Sequence, residues 1–189
     1  MPKQPSKISE YKDILIFVVT LLVANYFWKF TVHGDEAGIG DVTWFGLIWT
    51  PFFDAISHHT ARCAYWVVDL FRDTVHLNGT HIRFDSGNAS NVVWSCTPVK
   101  QSFIWFCLIL TAAGSWLRKI WFIPLGWIVI YGINVLRIAA ISLIIEFHPE
   151  LFNLMHAYIF KYIFYGIIFL MWLWWIERVG QSQLNTQNN

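Results

Sequence analysis

The chain has 189 residues, a net charge of +1, 13% charged and 56% hydrophobic residues, and a mean hydropathy of +0.47. That charge content is well under the roughly 25% of an ordinary soluble domain, and twelve Trp with sixteen Phe exceed what one soluble core of this size can use. The composition therefore points to the bilayer as solvent. The near-neutral charge gives no footprint for nucleic acid, and three cysteines without a CxxC pair argue against a disulfide framework or a thiol–disulfide relay.

The length allows a single membrane-embedded domain, residues 1–189. The polar start carries Lys3, Lys7 and Lys12, and the apolar run Asp13–Val32 behind it is long enough to span a bilayer. Tyr26, Phe27, Trp28 and Lys29 close that run where a signal peptidase needs small residues, so it reads as a retained anchor. Three further runs meet the same length rule: Pro98–Leu117, Ile120–Phe147 and Ala157–Ile176. The expected fold is thus an all-α polytopic bundle of about four transmembrane helices. Basic residues at the N-terminus, at Arg118-Lys119 and at Arg178 place those points on the cytoplasmic side. By parity, residues 33–97 and 147–156 lie outside.

The outer stretch 42–71 has Asp54, His58 and Arg62 at four-residue spacing, with Phe52, Phe53, Ile56, Cys63, Trp66, Val67 and Leu70 on the other face. It reads as an amphipathic helix at the interface, a re-entrant pair broken near Pro51, or a full hairpin through the membrane, which would keep the parity. Residues 74–94 change to a period of two. Val75, Leu77, Ile82 and Phe84 alternate with polar residues around Asn78-Gly79, a hairpin signal in which both turn residues accept positive φ. A second turn at Asp85–Asn88 and a third short strand at Val92–Trp94 complete an outer meander. Pro98 suits the first position of the following helix, and the polar tail 181–189 reads as disordered.

Depth singles out the reactive residues. At 1.5 Å per helical residue, Cys96 lies roughly 33 Å above Arg118, Arg137 roughly 27 Å above Lys119, and His156 roughly 32 Å above Glu177. Three helices therefore carry a thiol, a guanidinium and an imidazole in one layer near the outer face. Cys96, at a helix start, is placed for the dipole and the exposed N–H groups to favour the thiolate. Arg137 lies inside an otherwise apolar helix, where a charge costs about 2.5 kcal/mol or more at the centre and marks a site. Asn134, one turn back on the same face, can orient its guanidinium. His156 is the natural general base or acid. Lys100 and Lys161 lie near the same layer and can hold substrate carboxylates or lipid phosphates. Cys107 falls in mid-helix and reads as packing. His58 and His59, being adjacent, face different sides of a helix and make a poor chelating pair, so neither a metal nor a cofactor is expected. Asn78-Gly79-Thr80 and Asn88-Ala89-Ser90 match the glycosylation sequon, which matters only in a secretory eukaryotic setting.

At Trp94-Ser95-Cys96-Thr97-Pro98, Asn134-Val135-Leu136-Arg137-Ile138 and His156-Ala157-Tyr158 the chain resembles the exosortase/archaeosortase family of membrane transpeptidases. The family pattern is a Cys at the outer start of a spanning helix, an N-x-x-R-I-type motif in the next helix, and a His or Arg at the outer start of the one after. The resemblance runs from about Ser90 to Trp174. The chain departs from larger members in having fewer spans before the Cys, and Thr97-Pro98 where many have a Ser/Thr-Gly-like pair; its compactness is similar to that of small bacterial forms.

The resemblance implies a cysteine transpeptidase in the bacterial cytoplasmic (inner) membrane, its site facing the periplasm or exterior. Its substrates would be membrane-anchored secreted proteins with a C-terminal sorting signal, with Cys96 as nucleophile, Arg137 as oxyanion or thiolate stabiliser and His156 as proton carrier. Two other readings stay open on the residues: a purely hydrolytic membrane cysteine peptidase, and a non-enzymatic assembly or transport subunit for which Cys96 is dispensable.

Overall fold

The computed structural model describes residues 7–35 and 40–187. Lys3 and the last two residues of the tail lie outside these. Three helices are long and apolar enough to cross a membrane: Tyr11–Thr31, Trp116–Phe147 and Phe160–Arg178, with Val99–Thr111 as a shorter apolar helix. The chain is a mostly α membrane protein with two small antiparallel sheets.

Helix α1, Lys7–Thr31, starts with polar turns and is mostly apolar on all sides from Ile14 onward. Phe17, Ala24 and Trp28 form its buried stripe, while Leu15, Val19, Leu22 and Val23 are at least half exposed, as lipid-facing residues are. α1 packs against α3, Val99–Thr111, with Thr20 and Thr111 hydroxyls 3.1 Å apart. Helix α4, Trp116–Phe147, and helix α6, Phe160–Gln187, complete the bundle. α6 turns one stripe inward, Phe164, Ile168, Trp172 and Trp175, at helical spacing. It continues as helix to Gln187, into the polar tail that the sequence reading leaves without structure.

Two expected helix limits shift. The second apolar run, 98–117, yields a helix that stops at Thr111, because residues 112–115 turn through Gly114 at φ +130°. The buried Lys119 then reaches back to cap this end, its Nζ donating to the Leu110 carbonyl at 2.8 Å. Lys119 is thus a structural cap as well as a basic stop. α4 begins earlier than expected and passes through Pro124. Close by, Trp105 of α3 donates its indole N–H to the Ile123 carbonyl at 3.2 Å. Gly126 makes this approach feasible, since a Cβ there would sit 2.0 Å from Trp105 Nε1. Gly126→Ala should therefore destabilise the fold by about 1–3 kcal/mol through overpacking, visible as a lowered unfolding midpoint of the detergent-solubilised protein; an unchanged midpoint would mean that α3 and α4 do not pack here.

Of the stretch 42–71 only Thr50–Asp69 is the amphipathic helix, α2, unbroken, with Pro51 in its first turn, where the missing N–H costs nothing; residues 43–44 and 47–48 are strands instead. Its polar face is as expected: Asp54, His58 and Arg62 are exposed. Of the expected apolar face, Phe53 alone is buried. Ser57, Ala61, Ala64 and Val68 turn inward against α4, while Trp66 and Leu70 point out at 61% and 82% exposure. Small residues allow close backbone approach between helices, and large apolar ones suit a lipid-facing surface.

The expected meander is present with shifted ends. β4 (Val75–Asn78), β5 (His81–Phe84) and β6 (Ala89–Asn91) form a sheet in that order. Asn78 pairs with His81, so the loop is Gly79-Thr80, and only Gly79, at φ +64°, takes the left-handed conformation. The third strand is residues 89–91, not 92–94. Trp94–Cys96 instead forms a 3₁₀ turn. Val75, Ile82 and Phe84 bury one face of this sheet against α2 and α4.

A second sheet was not legible in the sequence. β1 (Val32–His33), β2 (Thr43–Trp44) and β3 (Leu47–Ile48) turn through Phe45 and Gly46, both at positive φ. Its anchor is an aromatic cluster in which Trp44 packs against Trp28, Trp49 and Phe103, and the Trp44 indole donates to Thr31 at 3.1 Å.

Candidate active site

Cys96 closes the 3₁₀ turn that joins the meander to α3. Thr97, in extended conformation, donates its hydroxyl to the Trp94 carbonyl at 2.6 Å, and Trp94 in turn donates its indole N–H to the Asp35 carbonyl at 2.6 Å. α3 itself begins at Val99 with Pro98 as its N-cap. The thiol therefore precedes the helix rather than occupying its first turn, and the dipole, which decays within that turn, is not its main charge partner.

Arg137, on α4, borders one cavity with Cys96 and a second with Tyr165. Its Nε is buried with no hydrogen-bond partner in the protein. Asn134 is fully buried one turn earlier on α4. It does not hold the guanidinium as expected: its Nδ2 donates to the Cys96 carbonyl at 2.9 Å, and its Oδ1 has no partner. Asn134 thus ties the cysteine turn directly to the helix that carries Arg137. Buried polar groups without partners are rare and demand an explanation. Here two of them, Arg137 Nε and Asn134 Oδ1, lie in the four-residue stretch of α4 that faces the cysteine turn.

His156 comes from a third element. The chain leaves α4 through a 3₁₀ turn, Pro149–Leu151, then a short helix α5, Phe152–Leu154, then a π turn, Met155–Ile159, that leads into α6. π turns widen a helix by one residue and are frequent at functional sites. The His156 ring stacks on Phe152 at a centroid distance of 5.2 Å.

Cys96, Arg137 and His156 line one cavity of about 530 Å³, with Ser90, Ile138, Ile141 and Phe152 among its walls. Polar contacts join the meander and the end of α2 to α4, and the buried Ser90–Ser142 pair lies in the cavity wall. Ser90 and Ser142 hydroxyls are 2.7 Å apart, Asn88 Nδ2 donates to the Glu146 carbonyl at 3.1 Å, and Arg72 bridges to Glu146 at 2.6 Å. Arg137 and His156, with Ser95, also border a second cavity of about 840 Å³ on their other side. Lys100 lines that second cavity and not the first, as does Lys161.

The other histidines lie elsewhere. His148 is exposed and pairs with Glu150 at 3.1 Å. The Glu150 carboxyl is held below its ordinary value, first by its own backbone N–H and then by the His148 contact. His76 is likewise exposed and paired with Asp85 at 3.1 Å. Neither lines the Cys96 cavity. Among the described residues no group of three His, Cys, Asp or Glu could hold a metal.

Two features escaped sequence reading. Tyr165 lines the larger cavity together with Arg137; its only signal was a phenol in an apolar helix. Cys63, one turn after His59 on α2, lies 3.8 Å from His59 Nδ1 and 3.7 Å from the Tyr131 hydroxyl, while His59 Nδ1 and Tyr131 are 2.6 Å apart. The i, i+4 spacing of His59 and Cys63 was the available signal for the pair; that Tyr131 would claim the same nitrogen had none. The groove beside Cys63 is walled by Trp66, Leu70 and Leu136, all largely exposed and apolar.

Residues 42–184 match the family model described as transmembrane exosortase (Exosortase_EpsH). The chain belongs to the transmembrane exosortase family. The match contains α2, the meander, the cysteine turn and all of α3 and α4, so the elements that build the Cys96 cavity lie within the exosortase region. No curated protein and no solved structure matches the chain.

Proposed function

We propose that this exosortase is a cysteine transpeptidase that cleaves the C-terminal sorting signal of secreted proteins through Cys96, Arg137 and His156. The observation that carries the reading is that these three side chains, from three separate elements, line one cavity. The Cys96 sulfur attacks the scissile carbonyl carbon, a C–S bond forms, and Arg137 stabilises the oxyanion by charge and hydrogen bonding in a site of low dielectric. His156 takes the thiol proton as the sulfur attacks and delivers it to the leaving nitrogen as the C–N bond breaks. An acceptor nucleophile then attacks the thioester, the C–S bond breaks, and the free thiol returns. Water in place of the acceptor gives hydrolysis.

The site would face the outside of the bacterial inner membrane. Cysteine-labelling scans should find Asn88→Cys accessible from the exterior only; labelling from the cytoplasm would put the cavity in the wrong compartment. The direct test is processing of a reporter carrying a C-terminal motif, helix and basic tail. The mass of its new C-terminus separates transfer from hydrolysis, and failure to cleave any such reporter would sink the reading.

Asn134 is a positioning residue in this scheme. Asn134→Ala leaves the Cys96 carbonyl without its donor, a loss of about 1–3 kcal/mol when the group stays buried. Its readout is local: the alkylation rate of Cys96 by a small maleimide should change, while Asn134→Gln, which keeps the donor, should move it less. Equal rates in all three proteins would remove Asn134 from the site.

A further inference from the structure

Two cavities meet at the candidate active site and divide its residues unequally. Cys96 lines only the smaller one, of about 530 Å³. Ser95, Arg137 and His156 border both that cavity and the larger one, of about 840 Å³, and so form the partition between them. The outer walls differ in origin. The smaller cavity is walled by β6, α4 and the turn at Pro149 and Phe152, and none of the described residues that line it belongs to α1 or α6. The larger one is bordered by Trp28 and Lys29 of α1 and by Lys161 and Tyr165 of α6. Both of those helices are long and apolar enough to cross a membrane. They meet through Phe17 with Phe169 and Trp172, roughly 12–18 Å along each helix from the cavity.

On the transpeptidase reading, on which this placement rests, sulfur attack leaves the acyl half of the substrate on the thiol and releases the amine half. The acyl half belongs with Cys96. The departing nitrogen belongs beside His156, which protonates it and which also faces the larger cavity. In a membrane-anchored substrate cut near the outer face, the amine half is the one that runs on into the membrane helix. The cavity bordered by α1 and α6 is the one flanked by two membrane-length helices. Two polar atoms of its wall also lack a partner among the described residues, the Gln101 Oε1 acceptor and the Arg137 Nε donor. A peptide bond offers the complementary N–H and C=O, and a turn of either side chain towards the cavity makes the contact.

We propose that the substrate lies across Arg137 and His156, its acyl half in the smaller cavity and its amine half in the larger one, passing out between α1 and α6 to its own membrane helix. The acceptor nucleophile enters through the larger cavity once the amine half has gone, because the thioester is open on the side from which the amine left. α1 precedes residue 42, where the exosortase match begins, so one wall of this path comes from outside the matched region.

Photo-crosslinking tests the placement. Benzoylphenylalanine would be introduced in place of Lys29, Lys161, Ala89 or Trp66, all exposed, in a Cys96→Ala chain that holds the reporter uncut. Adducts from positions 29 and 161 should map to reporter residues after the cut. Adducts from position 89, on the smaller cavity, should map to residues before it. Position 66, in the separate groove beside Cys63, should capture none. The same replacements with Cys96 intact should leave its alkylation by a small maleimide at the parental rate, which shows that the site is folded. No capture from positions 29 and 161, or adducts there on residues before the cut, would overturn the placement and leave the transpeptidase reading standing, since the parental chain still cleaves. Failure of the parental chain to cleave any reporter would overturn both.

Discussion

Replacing Cys96 by Ala or Ser should reduce reporter cleavage to background while the protein stays folded in the membrane. Cys96 is half-buried in a surface turn, and neither substitution empties a large core volume, so cavity formation gives no reason for collapse. Serine keeps the shape but offers a far weaker nucleophile at neutral pH. The chain supplies its own controls. Cys63 contacts His59 directly and so is the rival thiol–imidazole pair. Yet His59 Nδ1 is already engaged by Tyr131, and the adjoining groove opens on apolar, exposed side chains. Cys63→Ala should therefore cleave at the parental rate. The measurement is the membrane-retained fraction of the reporter in cells carrying each variant. Normal cleavage by Cys96→Ala with loss in Cys63→Ala would transfer the nucleophile to α2. Normal cleavage in both would leave a non-enzymatic role. His156→Ala should lose as much as Cys96→Ala, and the double variant no more than either, because one concerted step cannot be lost twice. Activity in His156→Ala would force the base to be sought elsewhere, although His148 and His76 are each committed to a neighbouring carboxylate outside the cavity.

The second large effect is expected at Arg137. Arg137→Lys should lower the rate about 10²–10³-fold, the usual cost of losing one oxyanion donor. Lysine keeps the positive charge near Cys96 but not the planar fork or its reach, and Arg137 borders both cavities at once. The variant should fold, since the surroundings already accommodate a cation. Single-turnover rates would separate the chemical step from binding. A wild-type rate in Arg137→Lys would mean that charge alone suffices and that guanidinium geometry is irrelevant. Tyr165→Phe offers a finer probe: it removes the hydroxyl of a residue that lines a cavity with Arg137 and leaves the ring.

Several elements could be read from residue pattern because their cause is local. Membrane-length apolar runs must become helices, since lipid offers no other partner for the backbone. The alternation Val75, Leu77, Ile82, Phe84 around a Gly fixed a hairpin, and Gly79 alone took the positive φ. Local pattern failed where a distant surface decided. The β1–β3 sheet pairs strands of two residues, too short for any periodicity, and its Phe45 turn is held by aromatic contacts to α1 and α3. α2 shows the same limit: its hydrophobic face was visible, but lipid solvates large apolar residues as well as a core does. Only the approach of α4 chose the Ser57–Ala61–Ala64–Val68 stripe as the buried one.

The candidate site divides in the same way. Chain order and helical rise by themselves lead to the expectation that a thiol, a guanidinium and an imidazole share one depth, though α3 itself covers only Val99–Thr111 of the stretch counted from Arg118 to Cys96. Rotation about each helix axis is not fixed by rise, and only tertiary packing decided which way each side chain turns. That packing set Cys96 ahead of α3 instead of in its first turn, gave Asn134 to the Cys96 carbonyl instead of to Arg137, and put Lys100 across Arg137 from the thiol. A depth is a one-dimensional property that sequence carries; a cavity needs the other two dimensions, which arise only when helices, meander and π turn close on one another.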